Sequence, residues 1–215
     1  ILYPLVVGYE NWIALEEAKH SNLTELLKPA GERLVAKTRV ILDRMKKGLT
    51  LVCDDSNANA FEAFRIANLA MFEQQRSGRL GMRHFNDEKI KPLSFDKLAE
   101  PTANFGFWRP FQMGFILLSL AGIVDELDED RETVDLIFFP TGGGKTEAYL
   151  GLAAFTIVYR RLTEEVHSGV DVLMRYTLRL LTLQQFERSS AMIVALEKIR
   201  RRDPKLGNAP ITIGV

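Results

Sequence analysis

Val134-Asp135-Leu136-Ile137-Phe138-Phe139-Pro140-Thr141-Gly142-Gly143-Gly144-Lys145-Thr146 is the stretch on which the reading of this chain turns. Its first six residues are a nearly continuous apolar run, which suits a strand buried on both faces. Pro140 to Gly144 then supply the turn. From Lys145 to Leu162 the apolar residues Ala148, Leu152, Phe155 and Val158 recur at helical spacing. A glycine-rich turn between a strand and a helix is the setting a phosphate-binding loop requires. Glycines let backbone N–H groups close around phosphate oxygens, because no Cβ blocks the approach. The helix start adds orphan N–H donors and the positive end of its dipole.

This reading makes Thr141, Gly142, Gly143, Gly144, Lys145 and Thr146 nucleotide-binding residues. Lys145 is expected to bridge the β- and γ-phosphates of ATP, and Thr146 to place its hydroxyl on Mg²⁺, which makes these two the catalytic pair. The strict pattern has a glycine six positions before the lysine, where this chain has Phe139, so the loop is the shorter Pro-Thr-Gly-Gly-Gly-Lys-Thr form. A glycine-rich turn with an incidental Lys-Thr is the competing interpretation.

Outward from the loop, two further segments read as strands, Val170 to Met174 and Ile211 to Val215, with a helix from Thr182 to Arg202 between them. Strand alternating with helix predicts an α/β fold built on a parallel sheet with right-handed crossovers. The first half reads instead as mostly helical. Leu23, Leu26, Leu27, Leu34, Val35 and Ile41 mark one helix within residues 22–47, interrupted or delimited by Pro29 and Gly31. Phe61, Phe64, Ile66, Ala67, Leu69 and Phe72 mark another over 58–75, announced by the cap formers Asp54, Asp55, Ser56 and Asn57. The polar stretch 77–104, broken by Pro92 and Pro101, separates a helical region over 1–104 from the ATP-binding part over 105–215.

Arg109-Pro110-Phe111-Gln112 lies about thirty residues ahead of Lys145. A glutamine amide has both a donor and an acceptor and can pair with the N6/N7 edge of adenine, so Arg109 and Gln112 join the nucleotide-binding set. Alternatively, Gln112 caps the start of the helix that follows. Arg175, Thr177 and Arg179 emerge after the second expected strand, where open α/β sheets bind ligands, and they suit a nucleic-acid backbone. As surface arginines on a connection they would do nothing of the kind. The acidic stretch 125–135 reads as a solvated loop, and Arg200, Arg201 and Arg202 as a charged helix end.

Composition limits the remaining options. The chain has 215 residues, with 28 Lys+Arg balancing 28 Asp+Glu, and 47% of its residues are hydrophobic. Those values fit a folded globular protein and exclude disorder and disulfide scaffolds. The balance of charge is an average over unlike segments: from residue 158 onward ten cations face six anions. Cys53 is the single cysteine, so no internal disulfide or cysteine zinc site can form, which fits a cytoplasmic location. The longest apolar runs are well short of the ~20 residues needed to cross a bilayer, so no membrane partner is expected. A start at Ile1 and an end within the apolar Ile211 to Val215 suggest a piece of a longer protein.

Together these motifs resemble the first RecA-like domain of superfamily 2 helicases. Arg109 to Gln112 is similar to the Q motif, and Pro140 to Thr146 to motif I. Arg179, Leu181 and Gln184 match part of motif Ia, although Thr177, Leu178 and Leu180 depart from its usual Pro, Thr and Glu. More narrowly, Phe138 to Leu152 and Leu173 to Thr182 resemble the helicase subunit family of the bacterial DISARM anti-phage system. The resemblance implies an incomplete RecA-like sheet and an ATP- and Mg²⁺-dependent helicase or translocase. Its implied partners are DNA, as a single strand or a duplex with a single-stranded end, and a second core subunit of the defence complex. No acidic box follows Lys145, so the 215-residue piece by itself is expected to hydrolyse ATP negligibly. A phosphotransferase or other ATPase that ignores nucleic acid, and a non-catalytic docking module, are the alternatives.

Overall fold

The computed structural model describes residues 2–54, 57–78, 106–140, 142–164, 169–175 and 179–214, without the side chains of 179–182. Among the described residues six α-helices carry the fold: α1 (Leu2–Ala18), α2 (Lys28–Cys53), α3 (Ala58–Gly78), α4 (Pro110–Val124), α5 (Lys145–Thr163) and α6 (Arg179–Arg200). Short 3₁₀ turns cover Lys19–Asn22 and Pro204–Leu206. Helix boundaries follow local chemistry. Pro29 sits in the first turn of α2, where its missing N–H costs nothing. The Asn57 side chain accepts the Ala60 N–H at 3.1 Å, capping α3 as the polar run before it predicts.

The expected α/β fold with a RecA-like parallel sheet is overturned: among the described residues there are helices, turns and extended segments, but no strand. A strand needs a hydrogen-bonded neighbour, and each of the three expected strands is held by a side chain instead. Residues 134–139 run extended, with Val134 93%, Leu136 87% and Phe138 94% exposed, so the apolar run is not buried on either face. Asp135 within it accepts two hydrogen bonds from the Arg44 guanidinium, at 2.6 and 2.7 Å. Asp171, in the second expected strand, accepts from Arg160. Ile211, in the third, donates its N–H to the Glu197 carboxylate at 3.0 Å. An apolar run can suggest a strand, but pairing depends on a neighbour that no local pattern supplies.

Two compact units share the chain: residues Ile1–Phe61 with Arg109–Ala148, and Glu62–Trp108 with Tyr149–Val215. In the first, α2 packs against both α1 and α4. Its core takes Val6 and Ile13 from α1, Leu42, Met45 and Val52 from α2, and Ile116, Leu117 and Leu120 from α4. Burying a side chain of this size stabilises by ~1.5–3 kcal/mol. The close approach of α2 to α4 is made at Gly48, where a Cβ would stand 1.9 Å from the Leu117 carbonyl oxygen.

Acidic residues 125–135 form a mostly exposed loop, as their composition suggests, although several of its carboxylates are paired. Lys47 of α2 bonds Glu129 at 3.0 Å and lies within 4 Å of Asp128 and Asp130. Arg44, itself only 7% exposed, adds Asp130 to its pairing with Asp135. The hydrogen bonds it donates to Asp135 hold the Arg44 guanidinium still more firmly protonated, against the desolvation that opposes it. A two-residue basic patch on α2 thus fastens the acidic segment that leads into the glycine loop.

The buried residues of the second unit come from α3 (Ala63, Ile66, Ala70), α5 (Leu150, Phe155, Val158) and α6 (Met192, Leu196). Arg161 is buried there and donates to the carbonyls of Leu206, Ala209 and Pro210 at 3.1, 2.7 and 3.2 Å. Burial pulls its guanidinium below the ordinary arginine range. Arg200 is no free helix end either: it pairs with Glu197 and donates to the Gly207 carbonyl at 2.8 Å.

Candidate functional site

The glycine loop lies between segment 133–140 and the start of α5, and the first unit takes all of this as far as Ala148. The loop turns through Gly142 and Gly144, at φ +78° and +85°, a backbone region that favours glycine. The Gly143 N–H donates to the Pro140 carbonyl at 3.1 Å and closes the turn. Phe139 stacks on Phe111 of α4, with ring centroids 3.9 Å apart and an interplanar angle of 12°. The same ring lies over Gly143, where a Cβ would come within 2.3 Å of it. Glycine at 143 is therefore a packing requirement.

Lys145 opens α5, and its ammonium donates back to the carbonyls of Phe139 and Pro140, at 2.5 and 3.1 Å. The lysine thus bridges the two ends of its own loop. Thr146 follows in the first turn of the helix, half-buried. Thr141 lies outside the described residues.

Arg109 and Gln112 are brought to this loop from the start of α4. The Arg109 guanidinium donates to the Gly143 carbonyl at 2.9 Å. The Gln112 amide nitrogen donates to the Gly144 carbonyl at 2.6 Å. Its oxygen accepts the Arg109 N–H at 2.8 Å, so Gln112 also caps its own helix. Residues picked from two separate motifs thus converge on two consecutive peptide groups.

Residues expected at a nucleic-acid backbone are placed differently. Arg175 is exposed, in an extended segment of the second unit. Thr177 lies outside the described residues, and so does the side chain of Arg179, whose backbone begins α6. The second unit also contains a cavity of about 500 Å³, lined by Ala153, Arg161, Met174, Ser189 and Ile211 among others, and among the described residues none of the expected site residues borders it. Among the described residues no cluster of His, Cys, Asp or Glu is arranged to hold a metal ion. No helix among them is long and apolar enough to cross a membrane.

Sequence reasoning missed Arg44, Phe139 and the part played by Phe111 in placing the loop. Only the unusual Phe139, standing where a glycine is the rule, pointed to the stacking.

The chain is similar to a segment of DISARM protein DrmA. The match is to the protein of Bacillus paralicheniformis (strain ATCC 9945a / NCIMB 11709 / CD-2), 40% identical over 213 residues. It takes in 96% of this chain and 18% of that protein, so the chain spans under a fifth of the length of the curated relative it matches. No family model matches the chain.

Proposed function

We propose that this chain is the ATP-binding segment of an ATP-dependent DNA helicase or translocase that acts in phage defence of the DISARM kind. The observation that carries the nucleotide reading is the loop itself. Two glycines at positive φ precede a lysine at the first position of a helix. At Gly142 a Cβ would meet nothing within 4 Å, so this side of the loop has open space. These features fit an ATP phosphate chain, and the helix start supplies donors of matching polarity. The likeness to DrmA supports the defence setting, and the motifs that resemble superfamily 2 support DNA as the track.

ATP with Mg²⁺, when bound, supplies the free energy of phosphoryl transfer. Lys145 would exchange its carbonyl partners for phosphate oxygens, a charge-assisted bond in place of two neutral acceptors. Thr146 would hold the magnesium ion through its hydroxyl. Arg175, Thr177 and Arg179 are the proposed DNA-backbone contacts, and a second core subunit and DNA are the proposed partners.

The experiment is DNA-stimulated ATP hydrolysis by the intact protein and its Lys145→Ala variant. The proposal expects stimulation in the first and its loss in the second, by at least a hundredfold, in the range that charged phosphate contacts contribute to transfer. Undiminished stimulation in the variant would overturn the assignment.

A further inference from the structure

Gln112 is 4% exposed, and both ends of its amide are engaged within the protein. Pairing with an adenine edge takes the amide oxygen and one N–H together, side by side. Here the oxygen faces the Arg109 N–H and an N–H faces the Gly144 carbonyl. One N–H and one lone pair of the amide remain, but at 4% exposure they offer a base edge no open side beside these partners.

Holding two carbonyls has a consequence for the donors beside them. In a trans peptide the C=O and the following N–H lie in one plane and point in opposite directions. Arg109 on the Gly143 carbonyl therefore sets the direction of the Gly144 N–H, and Gln112 on the Gly144 carbonyl sets that of the Lys145 N–H. Both N–H groups are turned away from the side chains that hold the loop. The close approach depends on glycine: at Gly144, φ is +85° and a Cβ would come within 2.8 Å of the Gln112 amide nitrogen.

We infer that Gln112 is a positioning residue for the phosphate cradle: with Arg109 it aims the Gly144 and Lys145 N–H donors, and it takes no part in choosing the base. This rests on the proposal that the loop binds nucleotide. The two ideas fail in different ways.

The test is calorimetric binding of Mg·ATP, Mg·GTP and magnesium tripolyphosphate to the intact protein, unaltered and as Gln112→Ala. Positioning predicts that the variant loses affinity for all three by the same factor, about tenfold for a hydrogen bond to a loop that must stay ordered. A loss confined to ATP, or equal affinities in both proteins, overturns the inference. If the unaltered protein binds none of the three, the nucleotide proposal falls and this inference falls with it. Hydrogen exchange without nucleotide gives a second reading that does not depend on binding. In Gln112→Ala the Gly143 amide, which closes the turn on the Pro140 carbonyl, should exchange about tenfold faster while the centre of α4 is unchanged. Exchange at the unaltered rate in the loop overturns the inference even if the binding data agree.

Discussion

Replacing Gly48 by alanine adds one methyl group at the point where α2 crosses α4, and the structure gives its cost. The new Cβ would stand 1.9 Å from the Leu117 carbonyl oxygen, 2.7 Å from its carbonyl carbon and 3.2 Å from its Cα. The first of these is about 1.5 Å short of ordinary van der Waals contact. All three atoms are backbone, so no rotamer change can relieve the clash and the helices must separate. Overpacking of a core costs ~1–3 kcal/mol, and a backbone-to-backbone clash belongs at the upper end. Alanine returns ~1 kcal/mol through its better helix propensity. The net expectation is a loss of about 2 kcal/mol. Gly8, in the middle of α1, is the matched control, since a Cβ there meets nothing within 4 Å. Gly8→Ala should therefore gain up to ~1 kcal/mol. Denaturant unfolding followed by far-ultraviolet circular dichroism measures both through the midpoint at constant slope. The reasoning is refuted if Gly48→Ala is as stable as the unaltered protein, or if both substitutions shift the midpoint in the same direction.

Asp135→Asn should free the extended segment 133–140 from α2. Breaking a buried ion pair costs ~3–5 kcal/mol, and the partial exposure of Asp135 brings the expectation to about 2–3 kcal/mol. Limited proteolysis should then cut within 133–140 before anywhere in α2 or α4, and an unchanged cleavage pattern would contradict the tether. The Glu197 carboxyl is held well below the usual carboxylate range, first by hydrogen bonds from Arg200, then by the Ile211 N–H and by Arg201. A depressed folded value means that its contribution is complete above the unfolded value of ~4.3 and is lost as the pH falls through the folded one. The unaltered protein should therefore lose more stability than Glu197→Gln on going from about pH 6 to pH 3. Parallel melting curves for the two proteins across that range would contradict the sign.

Helices were legible because their signals are local. Pro29 at the start of α2, Asn57 at the cap of α3 and the apolar spacing after Lys145 lie within a turn or two of what they determine. The glycine loop was legible as a turn before a helix for the same reason. Strands were misread because an apolar run carries no information about a partner, and 134–139 finds Arg44 and Phe111 in place of a neighbouring strand. Arg44 and Asp135 are 91 positions apart, so nothing near either one announces the pair. The same distance explains why the pairings within the exposed acidic stretch were not legible. For Gln112 the sequence offered cap or base reader, and the structure shows the cap together with a second bond to the loop 32 positions away.

The three side-chain tethers differ in kind from what a ladder would provide. A ladder spreads its grip over many backbone bonds and is nearly indifferent to which residues form it. At Asp135, Asp171 and Ile211 the grip is concentrated in one carboxylate and its partner. A single substitution at any of these carboxylates therefore loosens its segment locally, while Lys145 and Phe111 still hold the first segment and Arg161 the third. The protein is thus fastened at points rather than along an edge, and those points can be weakened one at a time.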